Sequence, residues 1–508
     1  MVGRDDGAPR RWLKVIDQTR CIGCHACTTA CKSENEVPLS VTRTYVKSVD
    51  VGTFPQARRA FQVTRCNQCE DAPCVAACPT SAMFRRPDGI VDFDKQACIG
   101  CKACMAACPY DAIFINPDDH SAEKCNLCAH RLDVGLEPAC VVVCPTQAII
   151  VGDLADPESA AARIVAREPV AVRRPEKGTR PKLFYRGATQ ATLDPLAAGR
   201  PGGGTFMWSE IPSGAQTVTS GHPGGANSSA AALLSYDITH RAPWDWRVSL
   251  YTWTKGVAAG AYLVAVLLAL TGRAAWSSAL VVWAAPVLAA VFLAATAGLL
   301  VWDLEHPARF FYILTRPQWR SWLVRGGIVL TGYAAGLGLH MLAGILGNTG
   351  LRQAVAVPGV PLAAMTAVYT AYLFAQAKAR DLWQNPLLPV HLLVQAALAG
   401  AAALLPVAVW WQRDAVVPLA WILAGACLAH LLLVLGEVTL THPTAHARLA
   451  AFELTRGRFR GFFWAAALLV AAGLAAPLAG AWVAPLALVG LAAYEHAYVQ
   501  AAQAVPLA

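Results

Sequence analysis

Residues 21–32 read CIGCHACTTACK, four cysteines within eleven positions. The pattern recurs. Cys21-x2-Cys24-x2-Cys27-x3-Cys31 is followed by Cys66-x2-Cys69-x4-Cys74-x3-Cys78-Pro79, by Cys98-x2-Cys101-x2-Cys104-x3-Cys108-Pro109, and by Cys125-x2-Cys128-x11-Cys140-x3-Cys144-Pro145. Sixteen of the seventeen cysteines thus fall before residue 145. Three cysteines two residues apart let a short loop wrap one cubane with its N–H groups turned inward. The fourth, on the helical turn that follows, reaches a neighbouring cluster. Gly23 and Gly100 suit the close backbone approach. Disulfides would need an oxidising compartment. Zinc takes isolated sets of four ligands, often with His. Neither accounts for the x2-x2-x3 runs. His25 reads as a polar neighbour of a cluster, and Cys427, alone in WILAGACLAHLLL, as a small buried hydrophobe.

Outward from the cysteines the composition changes. The chain has 508 residues, 42 Lys and Arg against 33 Asp and Glu, and is 56% hydrophobic. Charge and cysteine crowd the first 185 or so residues; Ala, Leu, Val, Gly and Trp dominate from about 246. The start, MVGRDDGAPRRWLKVIDQTR, has no apolar stretch of a secretory signal, and Arg10-Arg11 reads as a basic beginning rather than a twin-arginine leader. Residues 186–240 are rich in Gly, Ser, Thr, Ala and Pro and keep neither helical nor strand period, which predicts a connector. GRPGGG within it lacks the strand–helix setting of a nucleotide loop. Eight apolar segments follow, at 249–271, 277–302, 322–346, 357–377, 386–410, 415–439, 461–479 and 481–500, each near the ~20 residues that cross a bilayer.

With eight crossings both ends lie on the cysteine-bearing side. Arg241, Arg247, Lys255, Arg309, Arg316, Arg320, Arg325, Lys378, Arg380, Arg448, Arg456, Arg458 and Arg460 fall there; Arg273, Arg352 and Arg413 fall opposite. The positive-inside rule predicts a multi-pass protein of the inner (cytoplasmic) membrane with its cysteine-rich half in the cytoplasm.

Residues 14–185 resemble the four-cluster ferredoxin subunit of the dimethyl sulfoxide reductase family of molybdopterin oxidoreductases. The resemblance implies nested ligation: Cys21, Cys24, Cys27 and Cys144; Cys31, Cys125, Cys128 and Cys140; Cys66, Cys69, Cys74 and Cys108; Cys78, Cys98, Cys101 and Cys104. Cys101 stands where nitrate-reductase-like relatives carry Trp and a [3Fe–4S] cluster, so four [4Fe–4S] clusters are implied. WDLEHPARFFYILTRPQWRSWLVRG (302–326) and YEHAYVQAAQAVPLA (494–508) resemble the NrfD / polysulfide reductase membrane anchors, which lack haem and exchange electrons with quinones. The expected fold is an α+β double bacterial-ferredoxin-like domain with four cubane clusters (1–185), a linker (186–245) and an all-α eight-helix transmembrane bundle (246–508).

Ionisable residues inside a membrane are costly and mark candidate sites. Lys255, Asp303, Glu305, His306, Gln376, His391, Glu437, Glu495 and His496 all fall toward the cysteine-bearing side, in one expected layer. Lys255, Asp303, His306 and Glu437 form the candidate quinone site, as hydrogen-bond donors and proton route, with Trp253, Tyr369 and Trp322 flanking the ring. A competing reading pairs Asp303 with Arg325, assigns Glu495 to tying helices together, and sends the arginines at 309, 316, 320 and 325 to lipid headgroups or subunits. His340 and His430 lie deeper. No nucleophile–base constellation, molybdopterin pattern or nucleic-acid feature is visible. The expectation is an electron-transfer and anchor subunit of a membrane-bound molybdopterin oxidoreductase, with a Mo or W catalytic partner, quinone or quinol and the lipid bilayer as its contacts. The alternatives are a redox-driven proton-translocating module and a quinol-oxidising S-oxide, N-oxide or polysulfide reductase subunit.

Overall fold

The computed structural model describes residues 10–199, 205–206, 209–210 and 232–507. The start of the chain and most of the Gly- and Ser-rich connector, GRPGGG included, lie outside the described residues.

Short elements alternate with cysteine loops in the first half. They are β1 (Trp12–Asp17), α1 (Ala26–Glu34), β2 (Thr44–Val51), β3 (Arg58–Arg65), α2 (Pro73–Ala77), β4 (Met83–Arg85), β5 (Val91–Phe93), α3 (Ala103–Ala107), β6 (Ile113–Ile115), β7 (Ala122–Lys124), α4 (Ala129–Leu132), α5 (Ala139–Val142), β8 (Ile149–Asp153), α6 (Ala160–Arg167), β9 (Val170–Ala171), β10 (Leu183–Arg186) and α7 (Gln190–Leu193). The sequences GIVDFDKQACIGC (89–101) and CPYDAIFI (108–115) read as short strands and turns; β5 lies in the first and β6 in the second, each in a hairpin, with β4 and β7 respectively. One sheet runs β8-β1-β10-β9, with β1 parallel to β10 and every residue of β1 buried. Two of the cysteine-loop helices start from backbone turned left-handed, at His25 (φ 58°) before α1 and Lys102 (φ 60°) before α3. That turn folds the loop back around its own sulfurs.

The connector is not structureless throughout. After β11 (Thr205–Phe206) and β12 (Ser209–Glu210) comes β13 (Ala232–Tyr236), which pairs antiparallel with β2 and completes a sheet in the order β13-β2-β3. The expected linker of 186–245 therefore returns a strand to the first half. Its pattern escaped notice because ALLSY is short and bulged between Leu234 and Tyr236.

The second half is helical: α8 (Trp246–Leu270), α9 (Ala285–Trp302), α10 (Tyr312–Thr315), α11 (Trp322–Ile345), α12 (Thr349–Gln376), α13 (Leu388–Trp411), α14 (Val416–Thr439), α15 (Ala445–Thr455), α16 (Arg460–Ala472), α17 (Ala476–Ala479) and α18 (Ala484–Ala504). A π turn at Leu280–Ala284 precedes α9. Helix α8 is the most buried span. It crosses α13 at glycines: a Cβ on Gly260 would sit 1.7 Å from the Ala396 carbonyl oxygen. Small residues permit such backbone contact between membrane helices. Helix α12 starts eight residues before the segment expected at 357, because Asn348 caps it, accepting from the Leu351 N–H at 2.9 Å, and Pro358 and Pro361 sit inside it.

Among the described residues seven helical stretches are long and apolar enough to cross a membrane. The last spans Arg460–Ala504, 45 residues. It doubles back, since a Cβ on Gly490 of α18 would lie 2.8 Å from Leu469 of α16.

Candidate functional site

The thiols gather in quartets. Cys78, Cys98, Cys101 and Cys104 line one pocket, and Cys21, Cys24, Cys27 and Cys144 line another. Burial, then the charges of Cys125 and Cys140, push the Cys31 thiol up to about 12, with Cys128 adding. Burial, then Cys66, raises Cys69 to about 12, with Cys108 adding. Cys31 thus lies near Cys125, Cys128 and Cys140, and Cys69 near Cys66 and Cys108. The quartets also form a row: Cys27 feels Cys140, Cys66 feels Cys125, and Cys104 feels Cys74. At one end Cys24 is exposed, and so is Ile22, which lines the same pocket.

All seventeen cysteines are free. A lone zinc ion would draw its sulfurs to about 3.8 Å from one another. Among the described residues no three His, Cys, Asp or Glu side chains close around a point as a single ion requires. In each of the two pockets four cysteines share the lining, as a cluster's ligands must. Their backbone is arranged for one as well: the N–H groups of Met83, Gly100 and Ala122 donate to Cys78 and Cys98 sulfur at 3.4 Å, and that of Ala148 to Cys144 at 3.2 Å. Thiols pushed up by burial need a cationic partner to be held as thiolates, which iron supplies. The donor set fits an iron–sulfur cluster.

At the other end of the row, the loop after α9 clamps the third cysteine group. The Glu305 N–H donates to Gly100 O and the His306 N–H to Ile99 O, at 3.4 and 3.2 Å. Arg309 donates to the Lys95 and Cys98 carbonyls at 3.0 and 2.9 Å, and Trp244 Nε1 to Cys101 O at 3.1 Å. Ser321 Oγ reaches Ala77 O at 2.8 Å. Lys102, between Cys101 and Cys104, places Nζ 3.3 Å from Asp303 Oδ1, 3.0 Å from Asp303 O and 3.2 Å from Glu305 Oε1. Burial pushes Asp303 up to about 6 although Lys102 and Arg247 pull it down. Gly100, at φ +69°, must be glycine: a Cβ would lie 2.4 Å from Glu305 Cβ.

The expected quinone residues fall into three groups rather than one. Asp303 and His306 belong to the clamp, and Asp303 pairs with Lys102 and Arg247, not with Arg325, which donates to Trp319 O. Lys255, 1% exposed, donates to Ala367 O at 2.8 Å and Thr370 Oγ1 at 2.7 Å, with Nζ 5.0 Å from the Tyr369 ring centre. Glu495 lies within electrostatic reach of it. Glu437 belongs to a third group, accepting from Asn385 at 3.1 Å and from Tyr494 OH at 2.9 Å; Tyr494 also packs against the His391–His430 pair, whose ring nitrogens are 2.9 Å apart. Of the three expected ring neighbours only Tyr369 stands by Lys255. Trp253 donates to Leu488 O, and Trp322 stacks on Tyr372. Gln376 caps α11, accepting from the Trp322 N–H at 2.8 Å. His496 packs among Phe459 and Phe462. Arg309 is a clamp residue rather than a headgroup contact.

Sequence reasoning missed Lys102, Arg65 and the Tyr494 contacts. Lys102 had one visible signal: it is charged and occupies the position in its cysteine run that His25 occupies in the first.

Thiol quartets seated on long apolar helices make this a multi-pass membrane iron–sulfur protein. Residues 57–154 match the 4Fe-4S dicluster domain, and residues 236–491 match polysulphide reductase, NrfD. The protein belongs to the NrfD polysulphide reductase family, with an iron–sulfur domain joined ahead of it. That first part is similar to a tetrathionate reductase subunit of Salmonella typhimurium, 43% identical over 202 residues, covering 38% of this chain and 79% of the relative. It is also similar to a polysulfide reductase chain of Wolinella succinogenes, 43% identical over 178 residues, covering 34% and 93%.

Proposed function

We propose that this chain is the electron-transferring and membrane-anchoring subunit of a membrane-bound molybdopterin oxidoreductase, linking a Mo or W catalytic subunit to the quinone pool. The row of quartets carries this reading: one end opens to solvent at Cys24, and the other is clamped to the membrane half at Gly100 and Lys102. Each [4Fe–4S] cluster, when bound, supplies a one-electron carrier. Cys21, Cys24, Cys27 and Cys144 hold the outermost of four, then Cys31, Cys125, Cys128 and Cys140, then Cys66, Cys69, Cys74 and Cys108, with Cys78, Cys98, Cys101 and Cys104 nearest the membrane. Exposed Ile22 offers the catalytic partner an apolar contact near Cys24.

In the membrane, Lys255 and Tyr369 bind a quinone headgroup, Lys255 donating a hydrogen bond and Tyr369 supplying a ring face. Glu495 and Glu437 are carboxylates from which protons reach and leave the head. Asp303, in the clamp, pairs with Lys102 beside the innermost quartet. The Arg460–Ala504 stretch crosses twice, giving eight crossings, an inner-membrane location and a cytoplasmic ferredoxin half in line with the basic loops. Among the two directions of flow, the relatives' names, tetrathionate reductase and polysulfide reductase, favour delivery of electrons from quinol to an oxidised sulfur substrate.

The test is purification of the complex from native membranes, with iron, molybdenum and tungsten measured per chain. About sixteen iron per chain and a stoichiometric pterin partner are expected. Iron without a pterin partner overturns the assignment to a molybdopterin complex.

A further inference from the structure

The quartets differ in the charge that faces them. In the quartet of Cys78, Cys98, Cys101 and Cys104, the donors to sulfur include the backbone N–H groups of Met83, Gly100 and Ala122. The quartet of Cys31, Cys125, Cys128 and Cys140 receives charged side chains. Arg65 Nη1 donates to Cys140 Sγ at 3.0 Å, and Lys14 Nζ donates to the same sulfur at 3.5 Å. Asn35 Nδ2 reaches the sulfurs of Cys31 and Cys128, each at 3.7 Å.

Arg65 is 1% exposed, at the end of β3. Its Nε and Nη2 have no acceptor among the described residues. Burial opposes its charge, and the sulfurs of Cys140, Cys125 and Cys27 outweigh that burial. A buried guanidinium with two idle donors is costly unless an anion meets it. The group these four thiolates hold is such an anion, and its sulfur atoms are acceptors.

We infer that Arg65, supported by Lys14 and Asn35, raises the reduction potential of the cluster held by Cys31, Cys125, Cys128 and Cys140. Adding an electron adds negative charge, and a cation with N–H groups aimed at sulfur favours that charge state. The second position of the row is thereby made the more electron-retaining by this chain's own side chains. This rests on the four-cluster reading above but not on the quinone site.

The experiment is a redox titration of the purified complex followed by electron paramagnetic resonance, on the native chain, Arg65→Met, Arg65→Lys, Lys14→Met and Asn35→Leu. Iron per chain is measured on each. Arg65→Met is expected to lower one of the four midpoints, changing the ratio of reduced to oxidised cluster at least tenfold, about 59 mV for one electron. Lys14→Met and Asn35→Leu are expected to lower the same midpoint by less, and Arg65→Lys to keep part of it. A midpoint that stays or rises in Arg65→Met, or variants that move different clusters, overturns the inference. If Arg65→Met loses iron, an unmoved midpoint in both Lys14→Met and Arg65→Lys overturns it. Fewer than four clusters in the native chain would instead refute the four-cluster reading itself.

Discussion

Replacing Lys102 with Met tests how the two halves of the chain are held together. The Nζ group is buried and serves Asp303 and Glu305 at once, at 3.3 and 3.2 Å. Removing one partner of a buried pair leaves an uncompensated charge and costs about 3–5 kcal/mol. At about 3 kcal/mol the population with an opened seam grows about 100-fold. The reverse substitution, Asp303→Asn, should behave differently. Burial already opposes ionisation of Asp303, and its rise from 3.8 to about 6 is worth about 3 kcal/mol in favour of a neutral group. Lys102 would keep Glu305 and the Asp303 carbonyl. Asp303→Asn should therefore stay within about 1 kcal/mol of the native chain at pH 7, and combining it with Lys102→Met should recover at least about 2 kcal/mol relative to the sum of the single changes. The sign with pH follows. The folded-state value of Asp303 lies above 3.8, so its ionisation weakens the folded form as pH rises from about 4 to about 6, and Asp303→Asn removes that slope. The assay is protease cleavage between the halves of the detergent-purified protein, with iron absorbance recorded alongside. A seam in Lys102→Met that opens no faster than the native one, or an Asp303→Asn variant that opens as fast as Lys102→Met, refutes the argument.

Lys255→Met should lower quinone turnover at least about tenfold with iron content unchanged; unchanged turnover removes Lys255 from the quinone site. His240 contacts Asp111 and Asp237, which overcome burial and lift it to about 9. Its contribution, about 3 kcal/mol, is complete below about 6.5 and lost as pH rises through about 9, so a melting-temperature series in detergent should fall over that range and flatten in His240→Gln. Gly260→Val would drive a side chain into the Ala396 carbonyl and force α8 from α13. It should cost about 3 kcal/mol or more, read as loss of protein folded in membranes. Iron chelation should unfold the cysteine-rich half while the far-ultraviolet signal of the membrane helices persists.

Where sequence and structure meet is uneven. The cysteine runs were legible because a cluster imposes its spacing locally: three ligands within seven residues leave few other chemistries. The long apolar stretches were legible because a bilayer demands length and composition, not partners. Strand β13 was not, since five residues acquire strand geometry only from β2 beside them. Within the 45-residue end, Gly480 takes φ +67° between the expected segments 461–479 and 481–500, and α18 returns along α16. The polar layer was legible as residue types at similar depth, but not as contacts. Lys255, Asp303 and Glu437 stand in different groups because helix rotation, which composition alone does not encode, decides what each one faces.

By itself the chain's order of residues determined that sixteen cysteines fall in four runs of cluster-ligand spacing and that the second half is a membrane bundle. Each follows from a local rule of ligand spacing or helix length. Tertiary structure alone decided that Lys102 and Arg309 close the seam, that Arg65 lies against Cys140, and that the candidate quinone residues separate. Those are pairings across 75 to 211 positions of sequence, and burial selects them: once two surfaces leave water, each buried charge must meet whichever partner the packing brings.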